Sequence, residues 1–123
     1  TKLSGSGIPF ELFAGKSLFE VISLVARLEL IVSNDTFAVH LAEALDTRVI
    51  GVYCSTNPAV YGPYQKSNGY VLSSFYKVCP QRNSLGNCDG WELGCSHMLC
   101  KEQVDTSQLI NMAVEFQSQE VNT

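Results

Sequence analysis

The chain has 123 residues, 46% of them hydrophobic, and a formal net charge of -4 with only eight Lys plus Arg. That length suits one domain and that apolar content supports an ordinary core, so disorder is excluded as the default. With so few cations and no basic stripe, a nucleic-acid surface is excluded too, because phosphates must be neutralised.

Apolar runs break well before the roughly 18 residues that a bilayer-spanning helix needs. The amino end carries no charged segment followed by an apolar core. A soluble, cytoplasmic chain without its own targeting segment is expected.

Residues 1–9 are small and Gly/Ser-rich and read as a turn or an edge. Residues 10–13 suit a short extended piece. Ser17-Leu18-Phe19-Glu20 is a capping box, which predicts a helix over residues 17–28. Its apolar stripe is Leu18, Val21, Ile22, Val25 and Leu28, spaced by three and four to pack on a sheet.

Leu28-Glu29-Leu30-Ile31-Val32 predicts a buried strand, and residues 38–45 have the Ala/Leu content of a helix lying on a sheet. Between them sits Ser33-Asn34-Asp35-Thr36-Phe37-Ala38-Val39-His40, with Asp35 or Thr36 as N-cap. A strand that runs into a capped helix aims backbone N–H groups past the strand's carboxyl end, where they favour an anion such as a phosphate. With Thr36 at the start, His40 follows one turn later on the same face. The hinge is therefore the candidate site.

Arg48-Val49-Ile50-Gly51-Val52-Tyr53 predicts a second buried strand, parallel to the first through a right-handed crossover. Residues 54–69 read as a loop, in which Tyr61-Gly62-Pro63-Tyr64 is a turn with two partly buried rings. Residues 70–75 suggest a third, shorter strand. Residues 76–101 show no clear period and form a long Cys-rich excursion in which Trp91 covers core or faces a partner. Asp105-Thr106-Ser107 caps a last helix through residue 116, and residues 117–123 are expected to fray.

Cys79, Cys88, Cys95 and Cys100 fall within 22 residues, separated by gaps of eight, six and four, and Cys54 stands apart. Three readings stay open: reduced structural thiols, a zinc site of four thiolates or of three plus His97, and disulfides. The spacing lacks the paired C-x-x-C of most zinc ribbons, and an odd cysteine count weakens a secreted disulfide framework.

Taken in order, Gly15-Lys16-Ser17-Leu18, then Ile31-Val32-Ser33-Asn34-Asp35-Thr36-x-x-x-His40-x-Ala42-x-Ala44-Leu45, then Val49 to Tyr53 with Ser55-Thr56-Asn57-Pro58 and Tyr61-Gly62-Pro63-Tyr64, resemble glycosyltransferase family 9. These are the ADP-heptose:lipopolysaccharide heptosyltransferases and their relatives. The resemblance spans about residues 13–116. It implies an α/β fold: a Rossmann-like parallel sheet with flanking helices, an incomplete C-terminal half of a two-domain GT-B enzyme. Residues 1–123 would then be part of the nucleotide-sugar-binding domain, with residues 76–101 as an excursion within it.

By that resemblance, Asp35 contacts the donor sugar, while Thr36 and the helix-start amides at Phe37 and Ala38 hold the diphosphate with His40 nearby. The implied donor is a nucleotide-diphosphate sugar, ADP-heptose-like. The acceptor, a glycan or lipopolysaccharide core, is met through the missing half, which also supplies the catalytic carboxylate. No cofactor or metal is implied, and the fragment alone is expected to be inactive. Its place is cytoplasmic or peripheral to the inner membrane, and its uncovered sheet invites self-association.

Two residues depart from the family pattern. Phe37 stands where the family has Gly, so its ring either crowds the phosphate site or turns toward the sheet. Cys54 stands where Gly precedes the Ser/Thr-x-x-Pro turn. Lys16 is left out of the site. The alternative function is a non-catalytic module, either a degenerate transferase half or a domain stapled by zinc.

Overall fold

Ser17 decides where the first helix begins. In the computed structural model, which describes residues 5–65, 68–75, 79, 88, 95 and 98–121, the helix α1 spans Leu18–Val25. Ser17 Oγ accepts the Glu20 N–H at 3.3 Å, and Ser17 N–H donates to Glu20 Oε2 at 2.8 Å. The Ser17 N–H first, and the Ser17 hydroxyl after it, hold the Glu20 carboxyl below the usual carboxylate range.

The helix stops short of the predicted residue 28. Arg27 N–H donates to Leu24 O and Leu28 N–H to Val25 O, a tightening to three-residue turns that lets the chain reverse into the sheet. The next element, β1, is Leu30–Asn34, two residues later than predicted. Its register explains the shift. Leu30 pairs with Arg48 and Asn34 with Val52, so β1 begins where its partner β2, Arg48–Tyr53, begins.

Between the strands α2 spans Phe37–Ala44, capped by Thr36, whose Oγ1 accepts the Ala38 N–H at 3.3 Å. Thr36, not Asp35, is the N-cap. The turn that follows is fixed from outside the helix: the buried Thr47 hydroxyl donates to Val25 O at 2.9 Å and ties the start of β2 to the end of α1.

The predicted loop after β2 contains a short helix, α3, Pro58–Tyr61, with Asn57 Oδ1 accepting the Ala59 N–H at 3.0 Å and Pro in the first turn. Strand β3, Gly69–Ser73, ends two residues before the predicted end, with a last bond from Ser74 N–H to Tyr53 O at 3.0 Å. The Ser74 hydroxyl donates to Cys100 O in a further short helix, α4, Leu99–Glu102. The last helix, α5, spans Thr106–Val121, with Asp105 Oδ1 accepting the Ser107 and Gln108 N–H groups. It runs past the predicted residue 116, since Gln117-Ser118-Gln119-Glu120-Val121 contains no Gly or Pro to stop it.

Among the described residues the sheet is three-stranded, ordered β1-β2-β3, and parallel throughout. Parallel strands joined through helices make the expected α/β, Rossmann-like arrangement. Alternation along the strands divides the core. Ile31 and Val49 face α1 and α2, where Val25, Val39, Leu41 and Ala42 bury them. Leu30, Ile50, Tyr70 and Leu72 face α5, where Phe116, Leu109, Met112 and Ala113 pack.

Gly51 is a packing requirement. A Cβ there would lie 2.6 Å from Cε2 of Tyr53, whose ring folds back across it and is fully buried.

Residues 10–13 join no strand, and Phe10 and Leu12 are exposed. Of the Cys-rich excursion, only Cys79, Cys88, Cys95 and residues 98–101 fall among the described residues. Trp91 and His97 lie outside them. No helix among the described residues is long and apolar enough to cross a membrane.

Candidate functional site

Where β1 ends, the ladder makes one more bond: Asp35 N–H donates to Val52 O at 3.2 Å. This fixes Asp35, half-buried, at the carboxyl edge of the sheet. Thr36 is extended, with φ -149° and ψ 175°, so the chain swings from strand to helix at that residue. Ser33 Oγ lies 3.1 Å from Thr36 Oγ1 and adds a hydroxyl to the mouth of α2. The α2 dipole directs its positive end here.

Phe37 occupies the first helical position with 61% of its surface exposed. Its ring does not turn onto the sheet, which removes one of the two readings of this residue. Ala38 is half-buried, with its amide held by the cap.

His40 is engaged by its own helix and by the loop that follows α3. Its Nδ1 lies 3.5 Å from Oε2 of Glu43, which is 7% exposed, and its ring stacks on Tyr64 at 5.7 Å with an interplanar angle of 20°. Glu43 Oε1 in turn accepts the Gln65 N–H at 2.7 Å. Tyr61 and Tyr64 are both exposed, contrary to the partly buried rings expected, because each hangs outside a turn anchored by backbone. Tyr64 OH donates to Val60 O at 2.8 Å. Gly62, at φ 85°, adopts a left-handed conformation that L side chains rarely take, and this turns the loop back toward His40.

Under this cluster lies Tyr53. Burial pushes its hydroxyl up to about 12, helped by the negative charge of Asp35 and Glu43 and by Tyr64.

On the α5 side of the same strand ends is a cavity of about 900 Å³. Asn34 and Asp35 line it from β1, and Val52, Cys54, Ser55 and Thr56 from β2 and its loop. Met98, Cys100, Lys101 and Val104 close the far wall. The structure therefore separates the predicted set. Asp35 borders the cavity, whereas Thr36, Phe37, Ala38 and His40 belong to the α2 side and do not line it. Lys16 is engaged elsewhere, 3.8 Å from Glu20 and over the Phe13 ring.

Cys54, Cys88, Cys95 and Cys100 all line the cavity, and no disulfide joins the five cysteines. Burial pushes the Cys100 thiol up, and Cys54, Cys79 and Cys88 add to the effect, so these sulfurs share one neighbourhood. Cys95 Sγ accepts the Met98 N–H at 3.3 Å. Among the described residues no group of three or more His, Cys, Asp or Glu side chains is arranged to hold a metal ion.

Sequence reading missed Glu43 and the cavity wall. An acid three residues after a histidine on one helix is a legible pair, so Glu43 was within reach. The wall was not, since α4 meets the end of β2 and its loop only in the folded chain.

A capped helix at the carboxyl end of a parallel strand, an aspartate fixed at the sheet edge and a cavity beside it lie together at the edge where open α/β sheets bind ligands. Comparison with curated proteins and with solved structures gave no match. The model of glycosyltransferase family 9 (heptosyltransferase) matches residues 4–88, well over half of the 123 residues, and the chain therefore belongs to that family.

Proposed function

We propose that this chain is the donor-binding part of a glycosyltransferase that moves a heptose-like sugar from a nucleoside diphosphate to a lipopolysaccharide core or related glycan. The family implies a nucleotide-sugar donor and a glycan acceptor in general. The observation that carries the finer reading is the position of Asp35, pinned by Val52 at the carboxyl edge of the sheet between the mouth of α2 and the cavity of about 900 Å³. Its carboxylate accepts hydrogen bonds from sugar hydroxyls. The Phe37 amide and the Thr36 hydroxyl face the diphosphate, the Ala38 amide backs Thr36 Oγ1 through the cap bond, and His40 offers a ring N–H one turn along. A diphosphate held this way is a better leaving group, because fixed dipoles offset the charge that develops on it. The general base belongs to the half of the enzyme that this chain lacks, so the chain binds donor without turning it over. It works in the cytoplasm or at the inner face of the membrane.

Calorimetric titration with ADP, UDP and an ADP-sugar tests the reading. Asp35→Ala should weaken ADP-sugar binding more than ADP binding, and His40→Ala should weaken both, by roughly ten- to a hundredfold for a lost charge-assisted contact. Lys16→Ala should change neither. Phe37→Gly should tighten ADP if the exposed ring crowds the helix mouth. Wild-type affinity in both Asp35→Ala and His40→Ala would reduce the hinge to a helix cap.

A further inference from the structure

Among the described residues the Lys and Arg side chains are Lys16, Arg27, Arg48 and Lys101. The first three are committed elsewhere. Lys16 lies 3.8 Å from Glu20 and over the Phe13 ring, Arg27 Nε donates to Ser23 O at 3.1 Å, and Arg48 Nη1 donates to Phe116 O at 3.2 Å. Lys101 makes no ion pair and no side-chain hydrogen bond among the described residues, and it lines the cavity of about 900 Å³ that Asp35 borders.

The fold fixes that lysine at the strand ends. Cys100 O accepts the Ser74 hydroxyl, and Ser74 N–H donates to Tyr53 O at 3.0 Å, so α4 is tied to the carboxyl ends of β2 and β3. Lys101 N–H donates to Met98 O at 2.9 Å within the same turn. Residues from far apart in the chain, Asp35 after β1 and Lys101 on α4, thereby become walls of one cavity. The other hydrogen-bonding groups of its lining include Asn34, Ser55, Thr56 and Thr106, all neutral. Its volume is that of a small-molecule or cofactor site.

The donor site as proposed above is short of positive charge. It offers a diphosphate the Phe37 amide, the Thr36 hydroxyl and a ring N–H of His40, all beside the carboxylate of Asp35. Phosphate oxygens and that carboxylate repel each other. An ammonium beside both removes the conflict, since it is a compact point charge whose three N–H groups make charge-assisted bonds to phosphate oxygen.

We propose that Lys101 is the cation of the donor site, its ammonium bound to a phosphate oxygen of the nucleoside diphosphate within the cavity. The inference rests on the donor site proposed above and adds to it a contact from α4. Asp35 then meets sugar hydroxyls while Lys101 balances the charge of the phosphates.

Calorimetric titration with ADP and UDP, each beside its own nucleoside, tests the contact. Lys101→Met keeps the apolar stem and removes the charge, so it should weaken the diphosphate about tenfold or more and leave the nucleoside unchanged. Lys101→Arg should restore most of the loss. Added salt should weaken diphosphate binding more in wild type than in Lys101→Met. A second measurement needs no variant: acetylation of the wild-type chain, read by mass, should be slowed at Lys101 by bound diphosphate and unchanged at Lys16. Equal diphosphate affinity in Lys101→Met, or an equal loss for the nucleoside, would overturn this inference and leave the donor site standing. Unprotected Lys101 in diphosphate-bound wild type would do the same, even if the variant failed to fold. Absence of ADP and UDP binding by wild type would overturn it together with the donor site.

Discussion

The two faces of the sheet are built on different principles. On the α1 and α2 side, consecutive elements do the packing: Thr47 reaches back only to Val25, and Val39, Leu41 and Ala42 lie on the strands that flank their own helix. On the other side, α5 comes from the far end of the chain to cover Leu30, Ile50 and Leu72, and Arg48 Nη1 donates to Phe116 O across 68 residues of sequence. The first face closes locally and presents the helix mouth. The second closes late and leaves open space, both the cavity at the carboxyl ends and a smaller groove of about 210 Å³ near Leu30, Ile110 and Val114. Cover is thin there: Val32 is 47% exposed and Ile110 63% exposed, beside the edge strand β1. Those residues are where the expected self-association would occur.

The largest test of this contrast is Phe116→Ala. Phe116 is 4% exposed, meets Tyr70 edge-on at 4.1 Å and lies under Arg48, so its loss should cost about 3–5 kcal/mol and detach α5. Circular dichroism should show helix lost before the sheet melts. A single undiminished transition would mean that the two faces are equally secure. Phe19, 82% exposed on α1, is the control, and Phe19→Ala should shift stability by no more than about 0.5 kcal/mol.

Gly51→Ala probes the first face. The new methyl would stand 2.6 Å from the Tyr53 ring, which has no room to move, so an overpacking cost of about 1–3 kcal/mol is expected in urea unfolding. Pairing it with Tyr53→Leu should remove most of the penalty. If the double variant is no more stable than Gly51→Ala, the clash lies elsewhere.

Tyr53 also gives a pH signature. Its folded pKa is raised, to about 12, so the native state keeps a proton that the unfolded chain gives up near pH 10. The contribution is therefore intact below about pH 10 and lost as pH rises toward 12, and Tyr53→Phe should flatten that alkaline limb. A limb that persists in the variant would assign it to another group.

The smallest effect separates the cavity thiols. Cys95 is exposed, whereas the raised Cys100 thiol holds less thiolate at pH 8. Mass-resolved alkylation should label Cys95 first. Equal rates would mean that the cavity wall opens faster than the reagent acts.

By itself the sequence specified what depends on near neighbours. Ser17 with Glu20, Thr36 at the hinge, the strand from Arg48 to Tyr53 and Asp105 at the last cap all follow from bonds made within a few residues, and each was legible. Family membership was legible for the same reason, since the ordered hinge and strands are contiguous in the chain. Tertiary structure decided the rest. The start of β1 was set by its register with β2, and the early end of α1 by the turn into that strand. It also fixed Glu43 beside His40, because the backbone of a distant loop at Gln65 orders the carboxylate that faces the imidazole. The exposed rings of Tyr61 and Tyr64 and the thiol-lined wall belong to the same class. Each depends on contacts between segments far apart in sequence, which residue spacing along one element does not encode.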